Sequence, residues 1–230
     1  MPQALVLAAS HDLLLLTCGV DHETSLEAID LARKSNLLRA FVGVHPSEAL
    51  KETDLSWLDG VLEKASGLGE VGLDPKYSAV GAWSAQTRAF HAQLSAAGRA
   101  GKPVQVHSRG AERECLEALE SYQAKPVLFH WLQDGSVLRR VQDKGYFVSF
   151  GPSLVYSKKL QRMAAESNRG LVLTETDSPV SYQPLGGASG PSLIPTVLFK
   201  LAELWRVPFE EAREAVCQNA VAYLAPSEKG

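Results

Sequence analysis

Leu68-Gly69-Glu70-Val71-Gly72-Leu73-Asp74 places a carboxylate, Glu70, inside an apolar, β-prone run between glycines. Burying a lone carboxylate in such a run is costly, so the acid needs a partner. A metal ion is the simplest one. Three later β-prone runs lead to residues of the same kind. His107 follows Val104-Gln105-Val106, His130 follows Val127-Leu128-Phe129, and Asp177 closes Leu171-Val172-Leu173-Thr174-Glu175-Thr176. Ligand-type side chains at four strand ends fit one site gathered at the carboxyl mouth of a parallel barrel.

Outward from that stretch the chain alternates strand and helix. A short helix over residues 2–11 precedes a buried strand over 13–20. A helix over 22–35, opened by Thr24 and Ser25, leads to a strand over 41–46 that Pro46 stops. A helix over 55–66 precedes the Glu70 strand, and a long alanine-rich helix over 83–100 follows it. Helices over 111–122, 137–144 and 157–167 alternate with the His130 strand and with strands over 146–150 and 171–177. A glycine- and serine-bearing loop over 181–190 and helices over 191–205 and 208–224 close the chain. Near-continuously apolar strands in such a series predict a parallel sheet covered by helices. The expected fold is α/β, a TIM-type (β/α) barrel with about seven strands, incomplete at its N-terminus, forming a single domain over residues 1–230.

The bulk numbers restrict the function classes. At 45% hydrophobic and 21% charged, the 230 residues have a globular composition. A net charge of −3 argues against non-specific coating of nucleic acid while leaving room for a local basic groove. Cys18, Cys115 and Cys217 lie far apart with no C-x-x-C pair, so a disulfide framework and a zinc knuckle are both excluded and a reducing cytoplasm is expected. The apolar run over 13–16 is too short to span a bilayer. Nothing signals a membrane or an obligate protein partner, and a monomer is expected.

Carboxylates and imidazoles without thiolates suit Mg²⁺, Mn²⁺ or Zn²⁺, as one ion or two. Two ions sharing a carboxylate would polarise a phosphoryl oxygen and activate water. Glu70 is the natural bridge, with His107 and His130 completing one site and Asp177 serving the other or acting as base. Singly, each histidine reads rather as a satisfied core residue and Asp177 as a turn cap, and it is the four at matching strand ends together that favour the metal. His45, before Pro46, either contacts substrate or fills a turn. Arg109 either grips a phosphate or pairs with Glu112 or Glu114. Glu175, two residues before Asp177, should point the same way on one strand and support the ligands. Asp74 is read simply as stabilising its turn before Pro75.

Other signals are false. Gly67-x-Gly69-x-x-Gly72 matches the dinucleotide fingerprint in letters only, because a helix precedes it, a strand runs through it, and no acid occurs between Asp74 and Glu112. No G-x-S-x-G elbow is present, which counts against a serine hydrolase. The acid-free stretch carries Lys76, Arg88, Arg99, Lys102 and Arg109, which either attract a phosphate backbone or simply coat helix faces.

Together these residues resemble the TatD family of metal-dependent deoxyribonucleases, from about Leu13 to the C-terminus. Gly43-Val44-His45-Pro46 is similar to the family's G-x-H-P segment. Gly69-Glu70-Val71-Gly72-Leu73-Asp74 is similar to its G-E-x-G-L-D motif, Pro103 to Arg109 to its P-V-x-x-H-S-R segment, and Glu175-Thr176-Asp177-Ser178-Pro179 to its E-T-D-x-P motif. The resemblance implies a TIM-type barrel of the metal-dependent hydrolase superfamily that cleaves phosphodiester bonds in DNA, as an exonuclease. Glu70 would be the bridging ligand and His107, His130 and Asp177 further ligands. The chain departs from the family in having no H-x-H pair, which supplies ligands to one metal, so one ion is expected rather than two. Either the chain starts late or strand one is lost. A second departure is Ser189-Gly190-Pro191, where the family often has asparagine-proline. The resulting expectation is metal-activated water attacking a DNA phosphodiester, with Glu70 and Asp177 catalytic and Arg109 and His45 positioning phosphate. The alternatives are a related hydrolase of a small amide, ester or lactone, and a non-catalytic metal-binding protein.

Overall fold

The computed structural model describes residues 2–122, 124, 126–187 and 189–225. In chain order the elements are α1 (Pro2–Ser10), β1 (Leu15–Cys18), α2 (His22–Arg33), β2 (Leu38–Val42), α3 (Leu58–Leu62), β3 (Gly67–Gly72) and α4 (Ala82–Ala100). They continue with β4 (Val104–His107), α5 (Glu112–Glu120), β5 (Val127–Phe129), α6 (Gly135–Asp143), β6 (Phe147–Phe150), α7 (Lys158–Glu166), β7 (Val172–Thr174), α8 (Ile194–Trp205) and α9 (Phe209–Leu224). None of the described helices is long and apolar enough to cross a membrane.

The chain divides into two compact units. One comprises Leu15–Phe129 with Tyr223–Gly230, the other Met1–Leu14 with His130–Ala222. In the first, β1 to β5 pair in parallel in sequence order. Many of their side chains, among them Phe41, Leu68, Val71, Val106 and Phe129, are fully buried. The glycines of the false fingerprint serve this packing. A Cβ on Gly67 would lie 2.3 Å from the Phe41 ring, and one on Gly72, at φ +149°, would lie 1.9 Å from the His107 carbonyl oxygen. In the second unit β6 and β7 pair in parallel, with Val148 beside Val172. The helix α8 buries Ile194, Val197, Leu198 and Leu201.

Local chemistry sets the element ends. The Asp21 carboxylate accepts from Thr24 N–H at 2.9 Å, and the Thr24 hydroxyl oxygen accepts from Asp21 N–H, a capping box that starts α2. Gly101, at φ +64°, ends α4 as the left-handed position of a C-cap. Asp134 and Ser157 cap α6 and α7.

Several boundaries differ from the sequence reading: the buried strand expected over 13–20 is the half-buried β1 at Leu15–Cys18, and three further differences have a clear physical cause. The strand expected over 41–46 lies at Leu38–Val42, because Leu38 to Phe41 pair with Leu15 to Cys18. Beyond Val42 side chains capture the backbone: Val44 N–H donates to Gln93 Oε1 at 2.6 Å and Gln93 Nε2 donates to the Val44 carbonyl at 3.1 Å. The helix expected over 55–66 is only Leu58–Leu62. Gly60 weakens it, and Ser66 N–H is drawn to the Ala40 carbonyl at 2.8 Å, starting the path of β3. The strand expected over 171–177 ends at Thr174, so Glu175 and Asp177 lie beyond it. Asp177 takes φ +46°, and strand alternation does not relate its direction to that of Glu175.

Candidate metal centre

In the first unit Glu70 sits within β3 and His107 ends β4. Gln105, two residues before His107 and therefore on the same strand face, donates from Nε2 to Glu70 Oε1 at 3.2 Å. The Glu70 Oε2 atom lies 3.7 Å from His107 Nδ1 and 4.0 Å from His45 Nε2. The two imidazoles meet edge to face, with ring centroids 4.5 Å apart.

Asp74 governs this cluster and was not assigned that role from the sequence. Its side chain is fully buried, and Oδ2 accepts from His107 Nε2 at 2.8 Å and from Arg109 Nε at 2.8 Å. Oδ1 accepts from Lys76 N–H. Burial pushes the Asp74 carboxyl up, but the bonds from His107, Lys76 and Arg109 outweigh it and hold the group below its usual range. An ionised carboxylate only accepts, so the proton of neutral His107 sits on Nε2 and the Nδ1 lone pair faces Glu70. Arg109 is therefore anchored on Asp74, not on Glu112 or Glu114, with 45% of its side chain exposed and its guanidinium 5.7 Å from the Tyr77 ring centre.

Two buried glutamines of α4 hold the segments that carry these groups. Gln86 accepts from Asp74 N–H at 2.9 Å and donates to the Asp74 carbonyl at 3.1 Å. Gln93 does the same for Val44, next to His45. The signal was in the sequence: two amides seven residues apart fall on the buried stripe of a helix that is otherwise alanine, phenylalanine and leucine there.

In the second unit the same device recurs. His130 is buried directly after β5, and its Nδ1 lies 3.2 Å from Glu175 Oε2. That oxygen also accepts from the Ser149 hydroxyl at 2.6 Å and from Trp131 N–H at 3.3 Å. The proton of neutral His130 is thereby placed on Nδ1 and its lone pair on Nε2. Trp131 takes φ +42°, a conformation that bulky residues rarely adopt, and its N–H is turned onto Glu175 and Ser149 Oγ. Asp177 is partly buried, in a segment pinned by the Tyr182 hydroxyl, which donates to the Thr176 carbonyl at 2.8 Å. Burial, chiefly, pushes the Tyr182 phenol well above its ordinary value.

The five basic residues of the acid-free stretch do not act as one set. Arg99 makes a two-pronged pair with Asp59, Lys102 Nζ donates to the Ala65 carbonyl, and Arg109 is held by Asp74.

These donors suit a divalent metal. Each unit presents an imidazole whose tautomer a carboxylate fixes, the arrangement that orients metal-binding histidines. The buried Glu175 Oε1 has no hydrogen-bond partner among the described residues, an acceptor suited to a donor or cation. A parallel β/α chain with such strand ends has the makings of a metal-dependent hydrolase. The comparisons agree, and the chain belongs to the TatD family, since the TatD-related DNase model matches residues 7–225. The metal-dependent hydrolase YabD of Bacillus subtilis is 27% identical over 217 residues, covering 90% of this chain and 85% of its own. The human deoxyribonuclease TATDN3 is 28% identical over 233 residues, covering 93% and 85%. The crystal structure of YjjV, a TatD homologue from Escherichia coli, superposes with a TM-score of 0.86 at 24% identity, covering 96% of this chain and 90% of that one. The fold is thus the TIM-type (β/α) barrel fold of that family, with seven strands among the described residues.

Proposed function

We propose that this chain is a divalent-metal-dependent deoxyribonuclease of the cytoplasm, hydrolysing DNA phosphodiesters as a monomeric exonuclease, with residues 1–230 acting as one hydrolase domain. The observation that carries the reading is the pair of carboxylate-locked imidazoles, Asp74–His107 and Glu175–His130. Buried charges of this kind serve poorly as core packing and well as metal donors. The family membership and the name of the human relative support DNA as the substrate.

In this reading Glu70 and His107 of the first unit, and His130 and Asp177 of the second, are metal ligands, with Gln105 orienting Glu70. When bound, Mg²⁺, Mn²⁺ or Zn²⁺ supplies Lewis acidity at phosphorus and a nucleophile at neutral pH. Asp177 accepts the proton of the attacking water. Arg109, rigidly based on Asp74, presents its exposed guanidinium edge to a phosphate oxygen. The test is release of nucleotides from single-stranded DNA with Mn²⁺ or Mg²⁺. Release should stop with EDTA and fall by about 10²–10⁴-fold in Asp177→Ala. Release that persists in EDTA, or no release by metal-loaded protein, would refute the reading.

A further inference from the structure

We propose that His45 is itself a metal ligand, completing with Glu70 and His107 a two-imidazole, one-carboxylate site built wholly within the first unit and selective for Zn²⁺-type ions over Mg²⁺. This assigns His45 to the metal in place of a substrate contact, and it rests on the reading of Glu70 and His107 as metal ligands.

The geometry is that of donors around one ion. Two atoms each about 2.1 Å from a common ion stand roughly 3.0–4.2 Å apart, depending on the angle between them. Glu70 Oε2 stands 3.7 Å from His107 Nδ1 and 4.0 Å from His45 Nε2. One donor atom from each of the three residues lies within 4.8 Å of the other two. Direct hydrogen bonds between these atoms would be shorter, near 3 Å. Both rings are turned edge to face, so their nitrogens converge on the carboxylate instead of stacking.

The remote side of His45 is held by Ser47. Its Nδ1 lies 2.9 Å from Ser47 Oγ and accepts from Ser47 N–H at 3.2 Å, and the Ser47 hydroxyl donates to Glu48 Oε1 at 3.1 Å. With Nδ1 turned to Ser47, the ring presents Nε2 to Glu70. Asp74 orients His107, Ser47 orients His45, and Glu70 is the shared donor. His45 is also buried, and its backbone N–H is tied to the Val20 carbonyl at 2.9 Å. Two imidazoles and one carboxylate leave an open position, a donor set used by catalytic zinc, whereas Mg²⁺ favours oxygen donors alone.

The test titrates metal-stripped full-length protein with Zn²⁺ by calorimetry, comparing wild type with His45→Ala, His45→Asn and Glu70→Ala. His45→Ala and His45→Asn should each weaken the tightest Zn²⁺ site at least tenfold. Wild-type Zn²⁺ affinity in folded His45→Ala or His45→Asn would overturn the proposal while leaving the metal reading of Glu70 intact. Wild-type affinity in Glu70→Ala would overturn both. Nitrogen-15 spectra of wild-type protein labelled at histidine give a reading free of mutation. On Zn²⁺ addition the His45 Nε2 signal should move to the metal-bound range, and an unmoved His45 ring would overturn the proposal.

Discussion

The residue that most shapes the site is Asp74, which is not itself among the candidate ligands and fixes the tautomer of one that is, His107. A fully buried carboxylate survives because the His107 ring, the Arg109 guanidinium and the Lys76 N–H all donate to it. In Asp74→Asn an amide replaces the charged acceptor, the His107 tautomer is no longer enforced, and Zn²⁺ affinity should fall by about 10–100-fold by calorimetry. Glu175→Gln should act in the same direction on His130, the proposed ligand of the second unit. An Asp74→Asn protein that folds and binds Zn²⁺ as tightly as wild type would remove Asp74 from this role. The sequence offered Asp74 only as a turn residue before Pro75. Its true partners lie 33 and 35 residues downstream, on the next strand and just past it, and no local pattern encodes which carboxylate a histidine will meet.

At the scale of elements, α4 works as a bracket. Gln93 substitutes for a strand partner at Val44, so Gln93→Leu leaves a buried N–H and a buried carbonyl without their partners. It should cost about 2 kcal/mol or more in denaturant unfolding and loosen the His45 segment. Stability within about 0.5 kcal/mol of wild type would show that the bracket is dispensable. The start of α2 offers a second check. The Thr24 hydroxyl, with its backbone N–H, holds the Asp21 carboxyl below its ordinary value. A lowered folded value means that the cap contributes fully above pH about 3.9 and is lost as the pH falls through the folded value. Asp21→Ala should therefore destabilise by about 1 kcal/mol near neutrality, and the difference from wild type should vanish in acid. A difference that stays constant from pH 7 to pH 2 would contradict the assignment. Helices with strong caps and long apolar stripes, such as α2 and α4, were legible from the sequence alone, because those signals are local. The end of β2 and the short α3 were not, because Gln93 and Ala40 decide them across distance, and nothing local in the sequence marked the left-handed Asp177 that lies past the early end of β7.

At the scale of the whole molecule, strand and helix alternate throughout, and the apolar strands announce their parallel pairing. The ligand-type residues were visible because Glu70 interrupts an apolar run and His107, His130 and Asp177 follow or close one, where water cannot solvate an unpaired charge. Of their supports, Glu175 was read from the sequence, the two glutamines left a signal on an apolar helix stripe, and only the pairing of Asp74 with His107 was hidden in a turn. The central claim is that Glu70 anchors a divalent metal that the hydrolytic chemistry requires. The most direct measurement determines bound metal and hydrolysis on the same samples. Wild type and Glu70→Gln are each stripped, reloaded with Mn²⁺ or Zn²⁺ and dialysed, then assayed for metal content and for nucleotide release from single-stranded DNA. Wild type should retain at least one ion per chain and release nucleotides, and Glu70→Gln should lose both together. A Glu70→Gln protein that keeps its metal and its activity, or a wild-type protein that binds no metal, would contradict the account.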